Sequence, residues 1–252
     1  MNNMKLEKIL NHELSASSVK DYTTNGMQIE GKGEVERVVT GVTASQLLID
    51  QAVKLNADAL LVHHGYFWKG EPAPIRGMKG KRIRTLIKHD INLYAYHLPL
   101  DIHPKLGNNA ELARLLKIEI EGGLEENKNS LAMFGRLKEQ TKVSDFIGRI
   151  NQVLGRCPLH VFPENLDQMI QTVGWCTGGG QNYLELAAQH GLDAFISGEI
   201  SERTTHLARE LGIHYFSAGH HATERYGIKA LGEWLALKCG LEVKFVDIYN
   251  PA

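Results

Sequence analysis

The chain has 252 residues, of which 43% are apolar and 23% are charged. This composition is ordinary for a globular chain of one or two domains and excludes wholesale disorder. The 28 Lys and Arg residues are balanced by 29 acidic residues, and the net charge of -1 argues against a dedicated nucleic-acid coat. Three cysteines without a CxxC spacing argue against a disulfide framework or a thiolate zinc site.

The N-terminal residues 1–10 mix charged and apolar side chains and contain no signal-peptide core. No stretch of the chain approaches the roughly 20 apolar residues that a membrane-spanning helix requires. We therefore expect a cytoplasmic protein that has no membrane partner.

Helix-like and strand-like patterns alternate from the start of the chain. Apolar residues recur at helical spacing in some segments and form short β-branched or wholly apolar runs in others. In chain order the first half predicts a helix at 6–14, strands at 27–30 and 37–42, a helix at 45–55, a strand at 59–62, a basic helix at 79–89, a strand at 91–96 and a helix at 109–116. The polar segment 122–129, with glycine and asparagine, is a candidate linker.

The second half shows the same alternation. Its predicted elements are strands at 131–137, 159–162, 173–176, 194–197, 213–217 and 243–246, and helices at 143–154, 181–189, 202–210 and 221–237. Residues 38–65 align without gaps on 173–200, with Asp58 opposite Asp193. This favours an internal duplication, although chance likeness between two βα units is the alternative. The predicted fold class is α/β, with two similar halves, 1–125 and 126–252, each a mostly parallel or mixed sheet flanked by helices.

Histidine and carboxylate residues follow four of the predicted strands. Because ligands of α/β proteins gather at the carboxyl ends of strands, these residues are the candidate site. They are His63, His64, His97 and Asp101 in the first half, and Glu199, His220, His221 and Glu224 in the second.

The donor types indicate a divalent metal site. Imidazole and carboxylate without thiolate suit Zn, Mn, Fe or Ni, and a carboxylate such as Asp101 or Glu224 can bridge two ions. His220 and Glu224 share a helix face because they are four residues apart. Each motif alone has an ordinary alternative: an adjacent histidine pair is often a surface feature, and His-x-x-x-Glu is often a simple side-chain pair. The combination at equivalent strand ends favours metal binding.

Two further segments have both a functional and a structural interpretation. The glycine-rich turn 177–181 joins a strand to a helix, where backbone N–H groups can bind phosphate, or it is a tight turn that permits close packing. Segment 67–84 is aromatic, then rich in proline and glycine, then basic. It is interpreted either as a lid that recruits an anionic substrate or as an ordinary loop leading to a solvated helix or a subunit contact.

The motifs together resemble the GTP cyclohydrolase 1 type 2 homologue family, also described as dinuclear metal-centre proteins. The likeness covers essentially the whole chain and is closest to the short bacterial members. Its motifs are TGVTAS (40–45), VHHGYFWKG (62–70), YHLPLDIHPKLGNNA (96–110), WCTGGGQ (175–181), DAFISGE (193–199) and AGHHATERYG (218–227).

This resemblance implies a set of metal ligands, an assembly and an activity. The family's ligands fall on His63, His64, Asp101, His220 and Glu224, which would hold two divalent ions per subunit. His97 and Glu199 are the candidate catalytic residues, with His97 moving protons. The family also implies intertwined halves and a ring-shaped homohexamer.

The sequence leaves three functions open. The first is a dinuclear-metal-dependent hydrolase that acts on a nucleotide or a related small anionic substrate, with ring opening of the GTP cyclohydrolase type. The second is a metal-containing, ring-shaped scaffold that binds DNA or another partner and is linked to DNA damage and repair. The third is a metal-dependent phosphoesterase.

Overall fold

The fold alternates helices and strands throughout the part of the chain that the computed structural model describes, residues 1–161 and 165–252. The helices are α1 (Asn3–Glu13), α2 (Gln46–Lys54), α3 (Gly77–Lys88), α4 (Leu98–Asp101), α5 (Asn108–Leu116), α6 (Val143–Leu154), α7 (Leu184–Gln189), α8 (Glu202–Leu211) and α9 (His220–Cys239). The strands are β1 (Gly26–Ile29), β2 (Arg37–Thr43), β3 (Ala59–His64), β4 (Asn92–Ala95), β5 (Ile118–Gly123), β6 (Met133–Lys142), β7 (Leu159–Val161), β8 (Met169–Cys176), β9 (Ala194–Ser197), β10 (His214–Ser217) and β11 (Glu242–Phe245).

The chain divides into two compact units. Unit 1 consists of residues 1–107 and 227–249, and unit 2 consists of residues 108–226 and 250–252. Helix α9 therefore begins in unit 2 and ends in unit 1. These bounds differ from the predicted halves 1–125 and 126–252, because α5 and β5 belong to unit 2 and the late strand β11 pairs with β2 of unit 1.

Unit 1 is built on a sheet with strand order β1-β4-β3-β2-β11. All of its neighbouring strands are parallel except β1, which is antiparallel to β4. Alternate residues of β3 enter two different apolar clusters, since side chains along a strand point to opposite faces. Ala59 and Leu61 pack with α1 and α9, whereas Leu60 and Val62 pack with α2 and α3. This covering on both faces explains why the run is wholly apolar.

Unit 2 is built on a sheet with strand order β5-β6-β8-β9-β10-β7. Strands β8, β9 and β10 are parallel, and antiparallel pairs flank them on both sides. Ile196 of β9 lies in a cluster with α5 and α6, and Phe195 lies in a cluster with α7 and α8. The predicted strand 159–162 is observed at Leu159–Val161, and its last residue, Phe162, lies outside the described residues.

Helix α6 shows how a local pattern fixes an element. Val143, Phe146, Ile150 and Leu154 are buried at helical spacing and pack into the unit 2 core. The helix ends at Gly155, which adopts a left-handed φ of 67° that favours glycine. The predicted helix 143–154 is thus confirmed at both ends.

The internal duplication is visible in the backbone of each unit. Asp58, in the turn before β3, accepts hydrogen bonds from the backbone N–H groups of Glu36 and Arg37, where β2 begins. Asp193, in the turn before β9, accepts the same pair of bonds from Gln171 and Thr172 in β8. The gap-free alignment of the two segments therefore matches residues that accept equivalent hydrogen bonds. The predicted α/β class with two similar halves is confirmed.

Two differences from the predicted elements occur between α5 and α6. Strand β5 was not predicted, because Ile118–Gly123 has only one buried residue at its start and ends in two glycines. The candidate linker 122–129 instead includes the end of β5 and the turn that leads into β6, the strand with which β5 pairs antiparallel. The glycine and asparagine content of 122–129 therefore reflects a hairpin turn.

Within the described residues, no helix combines the length and the apolar character needed to cross a membrane.

Candidate functional site

Three histidines of unit 1 come together at the end of β3. His63, His64 and His97 each offer a ring nitrogen, and these three atoms lie within 4.8 Å of one another. The rings of His63 and His64 have centroids 4.4 Å apart, and the ring of His97 lies 5.1 Å from that of His63. Although adjacent strand residues point to opposite faces, the strand ends at His64 and Gly65 follows, so both rings lie together.

His63 is fully buried and held at both ring nitrogens. Its Nδ1 lies 2.9 Å from the backbone oxygen of Tyr96, which accepts the Nδ1 proton. Its Nε2 lies 3.4 Å from Oδ1 of Asp101, at the end of α4. A carbonyl that fixes one ring nitrogen orients the other, which is the usual arrangement behind a metal-binding histidine.

His97 is oriented by two polar residues of the loop before β1. Its Nδ1 lies 3.0 Å from Oδ1 of Asp21, and its backbone N–H donates to Oδ1 of Asn25 at 2.8 Å. Burial alone would raise the pKa of Asp21, but hydrogen bonds from His97, Asn25 and the backbone of Leu98 outweigh it and lower the pKa to about 2. Asp21 is therefore ionised near neutral pH and favours the tautomer of His97 protonated at Nδ1.

Sequence reasoning missed Asp21 and Asn25. Both lie in a polar segment without strand or helix periodicity, and their contacts with His97 span more than 70 residues of chain. His64 likewise has a partner that the sequence did not indicate, because Oγ1 of Thr43 lies 3.1 Å from its Nδ1. Thr43 ends the neighbouring strand β2, so only the sheet register brings the pair together.

In unit 2, His220 lies between two carboxylates. Its Nδ1 is 2.7 Å from Oε1 of Glu199, and its Nε2 is 3.2 Å from Oε2 of Glu224, one helical turn further along α9. Burial alone would lower the pKa of His220, but hydrogen bonds and charge interactions with Glu224 and Glu199 outweigh it and raise the pKa to about 9. Glu224 is nearly fully buried, whereas Glu199 is exposed.

Glycine is required beside this second group. Gly178 has a left-handed φ of 62°, and a Cβ atom there would collide with Oε1 of Glu224 and lie 3.0 Å from Nε2 of His220. A Cβ atom at Gly198 would lie 2.6 Å from Cα of His220. Oγ1 of Thr223 accepts a hydrogen bond from the Gly178 N–H at 3.0 Å. The glycine-rich turn 177–181 therefore packs closely against the residues at the start of α9.

Seven further histidines have structural or surface positions. His103 accepts a hydrogen bond at Nδ1 from the backbone of Leu106 and so closes a turn. His160 and His214 contact each other through ring nitrogens 3.0 Å apart. His12 in helix α1 is exposed, as are His89, His190 and His206.

Segment 67–84 contains a loop and most of helix α3. Glu71 binds Lys79 through a 2.8 Å ion pair, which ties the loop to the helix. The indole ring of Trp68 lies 4.9 Å from the ring of His97, so the loop contributes an aromatic side chain beside the unit 1 histidines.

The fold and these side chains define a class: an α/β protein with two similar units, each carrying a group of histidine and carboxylate side chains at the ends of its parallel strands. The model of the Duf34/NIF3 (NGG1p interacting factor 3) family matches residues 1–251, and the chain belongs to this family.

Relatives and solved structures agree with this assignment. A protein of Vibrio cholerae named GTP cyclohydrolase 1 type 2 homolog is 66% identical, and the alignment covers 100% of both chains. The solved structure of protein ybgI, described as of unknown function, is 52% identical with a TM-score of 0.95 over 100% of both chains. The structure of TTHA1606 from Thermus thermophilus is 33% identical with a TM-score of 0.89, again over 100% of both chains.

Proposed function

We propose that this protein is a metal-dependent hydrolase acting on a nucleotide or a related small anionic substrate. The observation that carries the proposal is the convergence of three histidine ring nitrogens within 4.8 Å in unit 1. The ring opening implied by the names of the relatives, GTP cyclohydrolase 1 type 2 homolog, is the specific reaction proposed. The proposed ligands are those implied by the family resemblance, with two divalent ions per chain: His63, His64, Asp101, His220 and Glu224.

The donor chemistry of both units fits divalent ions. Imidazole nitrogens and carboxylate oxygens bind Zn, Mn, Fe or Ni, and the described residues of both groups contain no thiolate. His63 and Glu224 are nearly fully buried. The carboxylate of Glu224 lies beside His220, and a buried carboxylate is costly without a bound proton or cation.

A divalent ion held by these residues would supply two effects: it would lower the pKa of water towards about 7 and polarise the substrate atom under attack. The protein's own residues would handle the protons. Asp21 holds the Nδ1 proton of His97, so Nε2 is free to accept a proton from water and return it to a leaving nitrogen. For a GTP-type substrate the atom attacked is C8 of the guanine ring, and cleavage of its two C–N bonds by two waters releases formate. Glu199 would orient His220 through Nδ1.

Metal content and product release test this proposal together. We expect the purified chain to contain close to two divalent ions by elemental analysis and to release formate from GTP. His63→Ala and Glu224→Ala should lower the metal content and reduce formate release at least about 100-fold. His89→Ala, at an exposed position of the same unit as His63, is the control and should change neither quantity. A metal-free wild-type chain that cannot be loaded contradicts the proposal, and phosphate release without formate identifies a phosphoesterase instead.

A second candidate, a ring-shaped scaffold that binds DNA, is favoured by one observation. Residues 76–88 carry exposed cationic side chains and no acidic residue: Arg76, Lys81, Arg84 and Lys88. An exposed basic helix attracts phosphate backbones through counterion release. We propose a homohexamer as the assembly, to be measured by light scattering.

Duplex DNA binding at several salt concentrations tests the scaffold role. Binding that weakens steeply with salt, and that is lost when these four cationic residues are replaced by alanine, supports it. Binding that the alanine variant retains, or no binding at low salt, contradicts it.

A further inference from the structure

Two aromatic side chains of unit 1 lie beside the histidine group. The ring of Tyr22 lies 5.0 Å from that of His97, and the indole of Trp68 lies 4.9 Å from His97 and 6.0 Å from His64. Tyr22 and Trp68 are themselves 5.8 Å apart. We propose that Tyr22 and Trp68 form a binding face for a planar heteroaromatic ring, such as a nucleobase, next to these histidines. The inference rests on the proposed function for the reaction that the ring undergoes.

The position of Tyr22 is fixed by its backbone although its side chain is exposed. The side chain is 53% accessible, which leaves about half of its surface open to a ligand. The backbone oxygen of Tyr22 accepts a hydrogen bond from the Lys69 N–H at 2.7 Å. Oγ1 of Thr23 donates to the backbone oxygen of Tyr66 at 3.2 Å. The loop that carries Tyr22 is thus joined to the loop that carries Trp68.

A glutamine completes this connection between the two loops. Oε1 of Gln28 accepts a hydrogen bond from the Tyr66 N–H at 2.7 Å, and Nε2 of Gln28 donates to the backbone oxygens of Thr24 and Tyr66, each at 2.8 Å. Two loops held by several hydrogen bonds lose little conformational entropy when a ligand binds, so the aromatic face is preorganised.

The turn that carries Trp68 contains a strained backbone position at the preceding residue, Phe67. Phe67 has a φ of 66°, in the left-handed region that an aromatic residue seldom adopts. Nε1 of Trp68 donates to the backbone oxygen of Gly65 at 3.2 Å, which orients the indole. Oε2 of Glu71 accepts hydrogen bonds from the N–H groups of Phe67 and Trp68. It also forms an ion pair with Lys79, and these contacts stabilise the turn. Backbone strain that neighbouring contacts maintain is typical of ligand-binding segments.

Trp68 also differs from the other two tryptophans of the chain in its surroundings. Trp175 is fully buried in the core of unit 2, and Trp234 packs against the apolar core of unit 1. Trp68 is half-buried, and its aromatic neighbours are His64, His97 and Tyr22. An aromatic face recognises flat rings by stacking and tolerates different bases, whereas a sugar phosphate offers it no flat surface. The proposed ligand class is therefore a planar ring.

The test compares ligands with and without an aromatic base on the zinc-loaded full-length chain. We expect GMP and CMP to quench the fluorescence of Trp68 and to bind at least about tenfold more tightly than ribose 5-phosphate by calorimetry. Trp68→Leu and Tyr22→Leu should each weaken GMP binding about tenfold or more, whereas Trp68→Phe, which keeps a flat ring, should largely retain it. Tyr249→Leu removes an aromatic ring that is 86% exposed in the same unit and is the matched control.

Two outcomes overturn the inference. One is that neither nucleotide binds more tightly than ribose 5-phosphate, and the other is that both leucine variants bind GMP like the wild type. The inference and the proposed function can fail separately. Ring binding that depends on Trp68, without metal-dependent turnover of any nucleotide, removes only the hydrolase. Turnover that is unchanged in Tyr22→Leu and Trp68→Leu removes only the aromatic binding face.

Discussion

Gly178→Ala separates the cost of backbone conformation from the cost of crowding the carboxylate of Glu224. Gly178 has a φ of 62°, and Gly191 has a nearly equal φ of 68° in the same unit. A Cβ atom at Gly191 has no neighbour within 4 Å, whereas one at Gly178 collides with Glu224. Gly191→Ala therefore carries the backbone cost alone and is the matched control.

The structure sets the size of the two effects. A non-glycine residue in the left-handed region costs about 1–2 kcal/mol, and both variants carry this cost. Gly178→Ala also forces the carboxylate of Glu224 to move within a buried environment, and such overpacking costs about 1–3 kcal/mol more. If Glu224 relieves the collision by turning away from His220, a proposed metal ligand is displaced, and we expect the affinity for zinc to fall about tenfold or more.

Urea unfolding and zinc competition measure these quantities. We expect Gly178→Ala to lose more unfolding free energy than Gly191→Ala, with both measured in the presence of a chelator. Competition with a chromophoric chelator should show weaker zinc binding for Gly178→Ala and wild-type binding for Gly191→Ala. Equal stability and equal zinc affinity in the two variants would refute the placement of Glu224 beside Gly178 and the assignment of Glu224 as a ligand.

Three further predictions concern aspartates of the repeat and of the histidine group. Burial alone would raise the pKa of Asp58, but hydrogen bonds from Lys32 and from two backbone N–H groups outweigh it and lower the pKa. The resulting stability is complete above about pH 4 and is lost as the pH falls through the lowered pKa, so urea unfolding of Asp58→Asn should show a weaker acid dependence than the wild type. At pH 7 we expect Asp58→Asn and Asp193→Asn each to lower the free energy of unfolding by about 1–3 kcal/mol, because the two aspartates accept equivalent backbone hydrogen bonds. A loss of stability in only one of these two variants contradicts their equivalence. Asp21→Asn should leave the zinc content unchanged while the ¹⁵N chemical shifts of His97 report a mixture of tautomers, and a single Nδ1–H tautomer in this variant contradicts the role given to Asp21.

The sequence predicts the repeated core of the fold because that information is local. The wholly apolar run that forms β3 and the spacing of apolar residues in α6 follow from the periodicity of strands and helices. The alignment also predicts that Asp58 and Asp193 are equivalent, since each occupies the corresponding turn before a strand in its own unit. Short parallel strands buried on both faces are the elements for which the pattern is clearest.

Contacts between distant segments limit what the sequence can predict. Asp21 and Asn25 contact His97 only because the loop before β1 lies beside the end of β4. Strand β5 shows no alternating pattern because most of its residues are exposed or half-buried at the edge of the sheet. The unit bounds depend on β11, which follows unit 2 in the chain but joins the sheet of unit 1.

The repeat also explains why the two units carry their donors at different positions. In the gap-free alignment His63 falls on Gly198 and His64 on Glu199, so the first residue of the pair is a histidine in unit 1 and a glycine in unit 2. A side chain is impossible at Gly198, because its Cβ atom would lie 2.6 Å from Cα of His220 and from the backbone oxygen of Gly178.

The same relation holds after the next strand of each unit. The backbone N–H of Tyr96 donates to the Val62 oxygen in unit 1, and that of Ala218 donates to the Ser197 oxygen in unit 2. These bonds make His97 equivalent to Gly219, whose φ of 99° favours glycine. In unit 2 the side chains that offer nitrogen and oxygen therefore belong to the residues just after the glycines, Glu199 and His220. The same backbone arrangement thus carries three histidine rings in unit 1 and a histidine between two carboxylates in unit 2. This difference explains how a duplicated unit acquires two unlike sets of candidate ligands.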